Sequence, residues 1–436
     1  MPHSHSPKRI RDGDATALPQ PWSRRIPWTP VVISILVVLS SGLAVQPVRD
    51  ARTLTDVAEA YLLRPMTYVA IAPLSNVLDT LSLLSGRQHI ALVLGVIVLF
   101  ALRRLVRALR DGATWRAHLV ATALLVVGIV VAYVAAAVLP RPMASLVTDN
   151  ANILRVDFHS HTSASHDGRG GWGAEHNRAW HRDGGYDAAY VTDHATVSEA
   201  ERGMANNPNP AGGGVTLLQG IEVTWSGEHV AILGAERRYR GLLTPNLRDV
   251  DEQGLLLGSL IQTREPVVIW NHPKDLTRLP PASGPRTAGV RGIEISNGSP
   301  PGADKIRPKR QAIVALAERA GLAMMGGSDY HGWGRTAPAW TLVRIFGWRG
   351  MNADSLDQQI ERVVRESGAR GTRVVERRVA DPGSRNTALA LTVLSVPLRM
   401  LTTLSNDERL VWLIWTWLIA ATVWWVRRRR ARGMAS

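Results

Sequence analysis

Four short apolar runs in this chain end in histidine and acid residues and then open into polar or glycine-rich segments. They close on Asp157-Phe158-His159-Ser160-His161, Thr192-Asp193-His194, Asn271-His272-Pro273 and Ser328-Asp329-Tyr330-His331, with Gly220-Ile221-Glu222 as a fifth stretch of related kind. The pattern narrows the fold, because side chains at several strand ends meet only where those ends point the same way. Apolar runs at 153–158, 188–192, 215–218, 267–270, 293–296 and 322–326 read as strands. They alternate with helical patterns at 174–182, 250–263, 303–320 and 355–367, the last with Leu356, Ile360 and Val363 or Val364 at helical spacing. This alternation predicts an α/β fold with a parallel sheet and its chemistry at the C-terminal strand ends.

Cysteine is absent, which excludes disulfides and thiolate metal sites and leaves His, Asp and Glu as the available ligands. The net charge of +15 is mostly arginine near the chain ends and beside apolar runs, and so reads as membrane topology and contact with anionic lipid. No basic-aromatic stripe or reader motif accompanies it, and no nucleic-acid partner is expected.

Apolar stretches near 31–45, 89–102, 119–139 and 410–426 are expected to span a bilayer. The first reads as an anchor rather than a cleaved leader, because further spans follow. The arm 1–27, the arginines at 103–116 and the tail 427–436 are basic and are expected on the cytoplasmic side. The chain then divides into the arm, a membrane region at 28–140, a catalytic domain at 150–375 and a C-terminal span. That domain lies on the periplasmic or extracellular side of a multi-pass inner (plasma) membrane protein. Residues 62–84 and 386–404 carry proline and charge and read as interfacial segments.

His159 and His161 stand two apart at a strand end, so both imidazoles leave the same face and can grip one cation. Asp167 follows in an Asp-Gly turn. His166, His176 and His181 belong to no motif and read as solvated or capping. Asp193 reads either as orienting a ligand histidine or as capping a helix.

The ordered set Asp-Phe-His-Ser-His-Thr…Asp-Gly, Thr-Asp-His, Gly-Ile-Glu, His-Pro and Ser-Asp-Tyr-His resembles the PHP (polymerase and histidinol phosphatase) superfamily over residues 153–335. The resemblance implies a distorted (β/α)7 barrel, here flanked by transmembrane helices, and two or three divalent metal ions (Zn, Mn or Fe). It implies that His159, His161, Glu222 and Asp329 hold the first metal. Glu222 bridges to a second, completed by His272 and His229, and Asp167, His194 and His331 hold a third. The position of His229 is similar to that in carbaryl-hydrolase-like members.

Such a metal pair generates a bridging hydroxide as nucleophile and neutralises the oxygen that gains charge in the transition state. The expected activity is hydrolysis of a small, anionic phosphoester, with His331, Asp329 and Glu222 as catalytic residues and Lys274 and Arg335 meeting the substrate. Carboxylester or amide hydrolysis, and a ligand sensor without turnover, are the alternatives. Trp172, Trp225, Trp270 and Trp333 lie near the motifs and pack either in the core or along an apolar pocket wall.

Overall fold

The computed structural model describes residues 27–111, 115–194, 196–208, 214–225, 227–234, 267–277, 290–383 and 385–433. The expected helix at 250–263, nearly all of the N-terminal arm and the end of the basic tail lie outside them.

From the N-terminal side come α1 (Trp28–Leu39), β1 (Val48–Asp50), β2 (Ala60–Leu63), α2 (Met66–Ala70), α3 (Ala72–Ser82), α4 (Gly86–Asp111), α5 (Trp115–Val138) and β3 (Ser145–Thr148). Next are β4 (Ile153–Ser160), α6 (Ala174–Gly184), β5 (Ala188–Val191), α7 (Ser198–Ala205), β6 (Thr216–Trp225), β7 (Glu228–Leu233), β8 (Val267–Asn271) and β9 (Val290–Asn297). Then follow α8 (Pro300–Ile306), α9 (Arg310–Ala320), β10 (Ala323–Gly327), β11 (Ala339–Arg344), α10 (Ala353–Ser367), β12 (Thr372–Arg377), α11 (Asn386–Ala390), α12 (Thr392–Thr402) and α13 (Asn406–Gly433).

Ten strands form one sheet in the order β1-β12-β11-β4-β5-β6-β7-β8-β9-β10. Parallel pairing holds for β4-β5-β6 and β8-β9-β10, whereas β7, β11, β12 and β1 pair antiparallel. The sheet curls until β10 faces β4 and β11: the Gly326 amide donates to Thr341 Oγ1 and the Asp329 amide to the His159 carbonyl. No continuous ladder joins these edges, so the expected closed (β/α)7 barrel is corrected to an open, curled, mixed sheet. The reason is local: β6 and β7 form a hairpin instead of a helical crossover, and β11 and β12, though joined through α10, pair antiparallel at the far edge.

The elements follow from their residues. Fully buried Ala188–Val191 reads as a central strand covered on both faces. Helix α10 buries Leu356, Ile360 and Val364 against Phe158, Tyr190 and Ile269, and the Asn352 side chain caps it by accepting from the Ser355 amide at 2.8 Å. Pro308 splits the single helix expected at 303–320 into α8 and α9 through a 3-10 turn.

Among the described residues, three helices are long and apolar enough to cross a membrane: Gly86–Arg110, Arg116–Val138 and Asn406–Arg430. The second expected span, short in sequence, is part of the 26-residue α4. The first lies in a shorter apolar helix, Trp28–Leu43, which meets α13 where Trp417 Nε1 donates to Ser34 Oγ at 3.1 Å. One end of each long helix adjoins the sheet domain. Gln88 on α4 donates to the Ala380 carbonyl at 2.6 Å, Gly334 donates to the Ala137 carbonyl of α5 at 2.7 Å, and Asn76 on α3 donates to Glu408 of α13 at 2.8 Å.

The segment between α1 and α4, expected within the membrane region, is woven into the domain: β1 pairs with β12, and α3 buries Asp79. Asp79 meets Arg141 at 2.6 Å, Arg377 at 2.8 Å, the Tyr68 hydroxyl at 2.9 Å and Thr336 Oγ1 at 2.9 Å. Burial pushes its pKa up, but Arg377 and Arg141 outweigh burial and hold the carboxyl below the usual carboxylate range. Glu376, buried between Arg310 and Arg49, behaves the same way.

Asp79→Asn leaves two buried guanidinium groups facing a neutral amide, which costs roughly 3–5 kcal/mol. The full-length protein in nanodiscs is expected to show a clearly lower thermal midpoint. A carboxylate with a depressed folded pKa stabilises above its unfolded value, about 4, and loses that contribution as pH falls through the folded value. The wild-type midpoint is therefore expected to fall on acidification, and less steeply in Asp79→Asn. Equal midpoints at neutral pH would exclude this role.

Candidate metal centre

Side chains at the ends of β4 and β10 converge on Glu222 within β6. His159 Nε2 lies 3.0 Å from His161 Nε2 and 3.1 Å from Glu222 Oε2. His161 Nε2 lies 3.2 Å from Glu222 Oε2. Asp329 Oδ1 lies 3.4 Å from His159 Nε2 and 3.3 Å from His161 Nε2. All four residues are buried. Ligands about 2.0–2.1 Å from a tetrahedral ion are separated from one another by about 3.3 Å. The four atoms therefore have the spacing of a cation's ligand shell.

Glu222 is shared more widely. His229 Nδ1 lies 3.1 Å and His272 Nε2 3.9 Å from its Oε1, and His194 Nε2 is 3.5 Å from its Oε2. Asp167 Oδ2 lies 3.1 Å from His331 Nε2 and 3.6 Å from His194 Nε2, and the His161 and His331 rings stack at 4.2 Å. His166, read as solvated or capping, is exposed and lies with Asp167 and His194 in a further group with ligand spacing.

Charge explains why this cluster needs cations. Burial pushes the Glu222 carboxyl up, but His159 and the other imidazoles hold it well below its ordinary range. Asp329 is likewise held low despite burial, chiefly by His159. Conversely, burial lowers the His159 and His161 values, and the carboxylates more than reverse this, bringing His161 to about 9. The carboxylates thus favour positive charge here, supplied by protons or by a metal. His272 is pushed down to about 3, mainly by burial, and stands neutral as a ligand must. Asn271 Oδ1 is buried with no hydrogen-bond partner, while its amide donates to Glu222 at 3.0 Å. Imidazole and carboxylate donors fit Zn, Mn or Fe.

The backbone is bent to this purpose. Leu54, His272 and Asp329 are the non-glycine residues with positive φ among those described, and two of the three carry ligand-type groups. Gly327 lies beneath the cluster, where a Cβ would sit 2.1 Å from Glu294 Oε1 and 2.7 Å from the His159 Cβ.

Sequence reasoning missed Glu294, which accepts from His159 Nδ1 at 2.8 Å and from the His272 amide at 2.7 Å. An acid between Ile293 and Ile295 in a buried strand was its available signal. Lys305 was also missed, and its ammonium lies 3.1 Å from His272 Nδ1. Lys274 instead donates to the Gly227 carbonyl at 3.1 Å, and Arg335 pairs with Asp183 at 2.7 Å. Asp193 touches no ligand imidazole by hydrogen bond; it accepts from the amide and hydroxyl of Thr162, both at 2.6 Å. His181 is a buried partner of Asp157 at 2.9 Å. Trp270 packs in the core, Trp333 is half exposed, and the Trp225 side chain lies outside the described residues.

No protein-family model matches the chain, and no curated protein does. Solved structures match it at low identity. A two-domain protein from Bacteroides vulgatus, containing a predicted PHP-like metal-dependent phosphoesterase, is 18% identical, with 52% of this chain and 66% of that one covered and a TM-score of 0.32. PsfC from Pseudomonas syringae is 19% identical, with coverages of 56% and 96% and a TM-score of 0.36. An amidohydrolase from Chromobacterium violaceum, with bound sulfate and no metal, is 18% identical, with coverages of 42% and 88% and a TM-score of 0.28. The functional reading of this chain therefore rests on its own side chains.

If Glu294 orients His159, Glu294→Gln is expected to weaken metal affinity roughly 10–100-fold. Competitive chelator titration of the folded protein reads this directly, and wild-type affinity in the variant would remove Glu294 from that role.

Proposed function

We propose that this chain is a membrane-anchored, metal-dependent hydrolase that cleaves phosphoesters. The observation that carries the reading is the convergence of nine ligand-type residues around Glu222 and Asp167. His159, His161, Glu222 and Asp329 hold one cation; Glu222, His229 and His272 hold a second; Asp167, His194 and His331 hold a third. Bound cations supply a water of lowered pKa and neutralise charge gathered in the transition state.

The protein's own groups do the rest. Glu222 ties two ligand groups together, so their separation is held by one rigid carboxylate. Ser299 Oγ donates to Asp329 Oδ2 at 2.6 Å and orients its carboxylate. Lys305, rather than Lys274 or Arg335, brings a positive charge next to the cluster, its ammonium 3.1 Å from His272 Nδ1, and suits an anionic substrate. His331, partly exposed, donates Nδ1–H to the Asp329 carbonyl at 2.8 Å, which leaves Nε2, 3.1 Å from Asp167, as the nitrogen that would hold the third cation beside the leaving oxygen.

The sheet domain lies on the periplasmic or extracellular side. Support comes from the arginines at 103–116 and 427–430, which occupy the helix ends remote from the sheet.

Purified full-length protein is expected to contain two or three Mn, Zn or Fe ions and to hydrolyse nitrophenyl phosphates. Asp329→Ala and His161→Ala are each expected to lower turnover at least about 100-fold, the order lost when transition-state charge stabilisation is removed, with circular dichroism unchanged. Metal-loaded protein that binds esters without cleaving them would reject the hydrolase reading. Separately, an export-dependent phosphatase reporter fused after residue 145 is expected to be active and one after residue 113 inactive. The reverse pattern would overturn the topology.

A further inference from the structure

A cavity of about 260 Å³ leads away from the metal cluster towards the membrane helices. Ser299, Asp329 and His331 line one part of it, and Leu81, Tyr133, Ala136 and Ala137 line another. Tyr133, Ala136 and Ala137 belong to Arg116–Val138, one of the three helices able to span a bilayer. Tyr133 lies five residues before the end of that helix, about 7.5 Å along its axis at 1.5 Å per residue. Tyrosine near the end of an apolar helix is a residue type enriched at the headgroup level. The Tyr133 hydroxyl pairs with His89 Nδ1 at 2.9 Å, and both residues line the cavity. On the same helix, Val130, Val134 and Val138 are exposed and continue the apolar surface outward.

The cavity and the cluster are physically joined. Asp329 and His331 sit on the loop whose Gly334 amide donates to the Ala137 carbonyl at 2.7 Å. Two residues on, Thr336 and Arg141 hydrogen-bond at 3.0 Å beside Asp79. A water-soluble substrate needs no such arrangement. An apolar wall running from metal ligands to a membrane helix suits a substrate with a polar ester at one end and a hydrocarbon chain at the other. The volume is roughly twice that of an apolar cavity able to hold a benzene ring. It therefore accepts the ester and the first carbons, and leaves the rest of the chain along the helix surface.

We infer that the substrate is a phosphoester of a long-chain lipid, drawn from the bilayer with its phosphate at the cluster and its first methylenes between Leu81 and Ala136. This rests on the hydrolase reading above and names the substrate class of that same site. Water is the co-reactant: its hydroxyl bonds to phosphorus, the P–O bond to the alcohol breaks, and a proton goes to the departing oxygen.

The test uses full-length, metal-loaded protein in phosphatidylcholine vesicles, with methyl and hexadecyl 4-nitrophenyl phosphodiesters as substrates. A hexadecyl phosphonate carrying a diazirine beside the headgroup is the binding probe. The hexadecyl ester is expected to have at least a 100-fold higher kcat/KM, and Ala136→Trp to reduce that preference at least tenfold. The probe is expected to crosslink wild-type peptides containing Leu81, Ala136 or residues 329–336, a readout independent of turnover and of how the variant folds. Equal cleavage of both esters, with crosslinks scattered over lipid-facing α4 and α13, overturns the lipid assignment and leaves the hydrolase reading intact. Crosslinking in the cavity without cleavage of either ester upholds lipid binding and rejects hydrolysis. Absence of both rejects both.

Discussion

A carboxylate taken fully out of water is stable only beside positive charge, and Glu222 sets that condition for the whole site. Its side chain is buried, yet it remains ionised because four imidazoles, from His159, His161, His194 and His229, stand within 3.1–3.5 Å of its oxygens. Each imidazole comes from a different place in the chain or a different strand end, apart from the pair on β4. The curled sheet brings those side chains within ligand spacing of one another. Replacing positive charge by protons alone leaves His159 and His161 nitrogens 3.0 Å apart, a contact better satisfied by a shared metal than by two imidazolium ions.

The support around the cluster is as deliberate as the cluster. Glu294 holds His159 on one side and the His272 amide on the other, and Gly327 leaves the room that this carboxylate occupies. Asp157 receives His181, the His159 amide and the Ser328 amide, thereby tying β4 to the turn after β10. Those contacts replace the missing ladder between the sheet's facing edges. An open sheet gains from them the rigidity a closed barrel has by construction.

The same economy links the site to the long apolar helices. Asp79 on α3, Arg141 after α5 and Arg377 at the end of β12 form one buried network. The loop carrying Asp329 and His331 runs directly from the cluster to the end of α5. Movement of α5 relative to the sheet therefore has to disturb either a buried ion pair or a ligand loop. The ligand cluster and the apolar helices are joined by these contacts, and one cavity touches both.

Much of the cluster was legible because strand periodicity is local. His159 and His161 at period two, and short apolar runs ending in His194, His272 and Asp329, announce themselves without neighbours. Glu222 stood out as a fifth stretch of related kind, whereas its bridging role and the role of His229 followed through a family resemblance; the two face each other because β6 and β7 form a hairpin, which spacing did not reveal. Lys274 and Arg335 illustrate the opposite limit: both lie close to a motif in sequence, but long side chains go to whichever partner the fold supplies. Lys305, 33 residues from His272, arrives through the packing of α8 against β9, and nothing in its surroundings marked it. Likewise β1 lies within the stretch read as a membrane region, and becomes the sheet edge only because β12, more than 300 residues away, pairs with it. The sequence by itself determined the ligand chemistry, the strand ends that carry it and the helices apolar enough for a bilayer, because residue type and short-range period suffice for these. The tertiary structure alone decided that the sheet stays open, which cations approach the cluster and that an apolar cavity joins it to α5, because those depend on contacts between residues far apart in the chain.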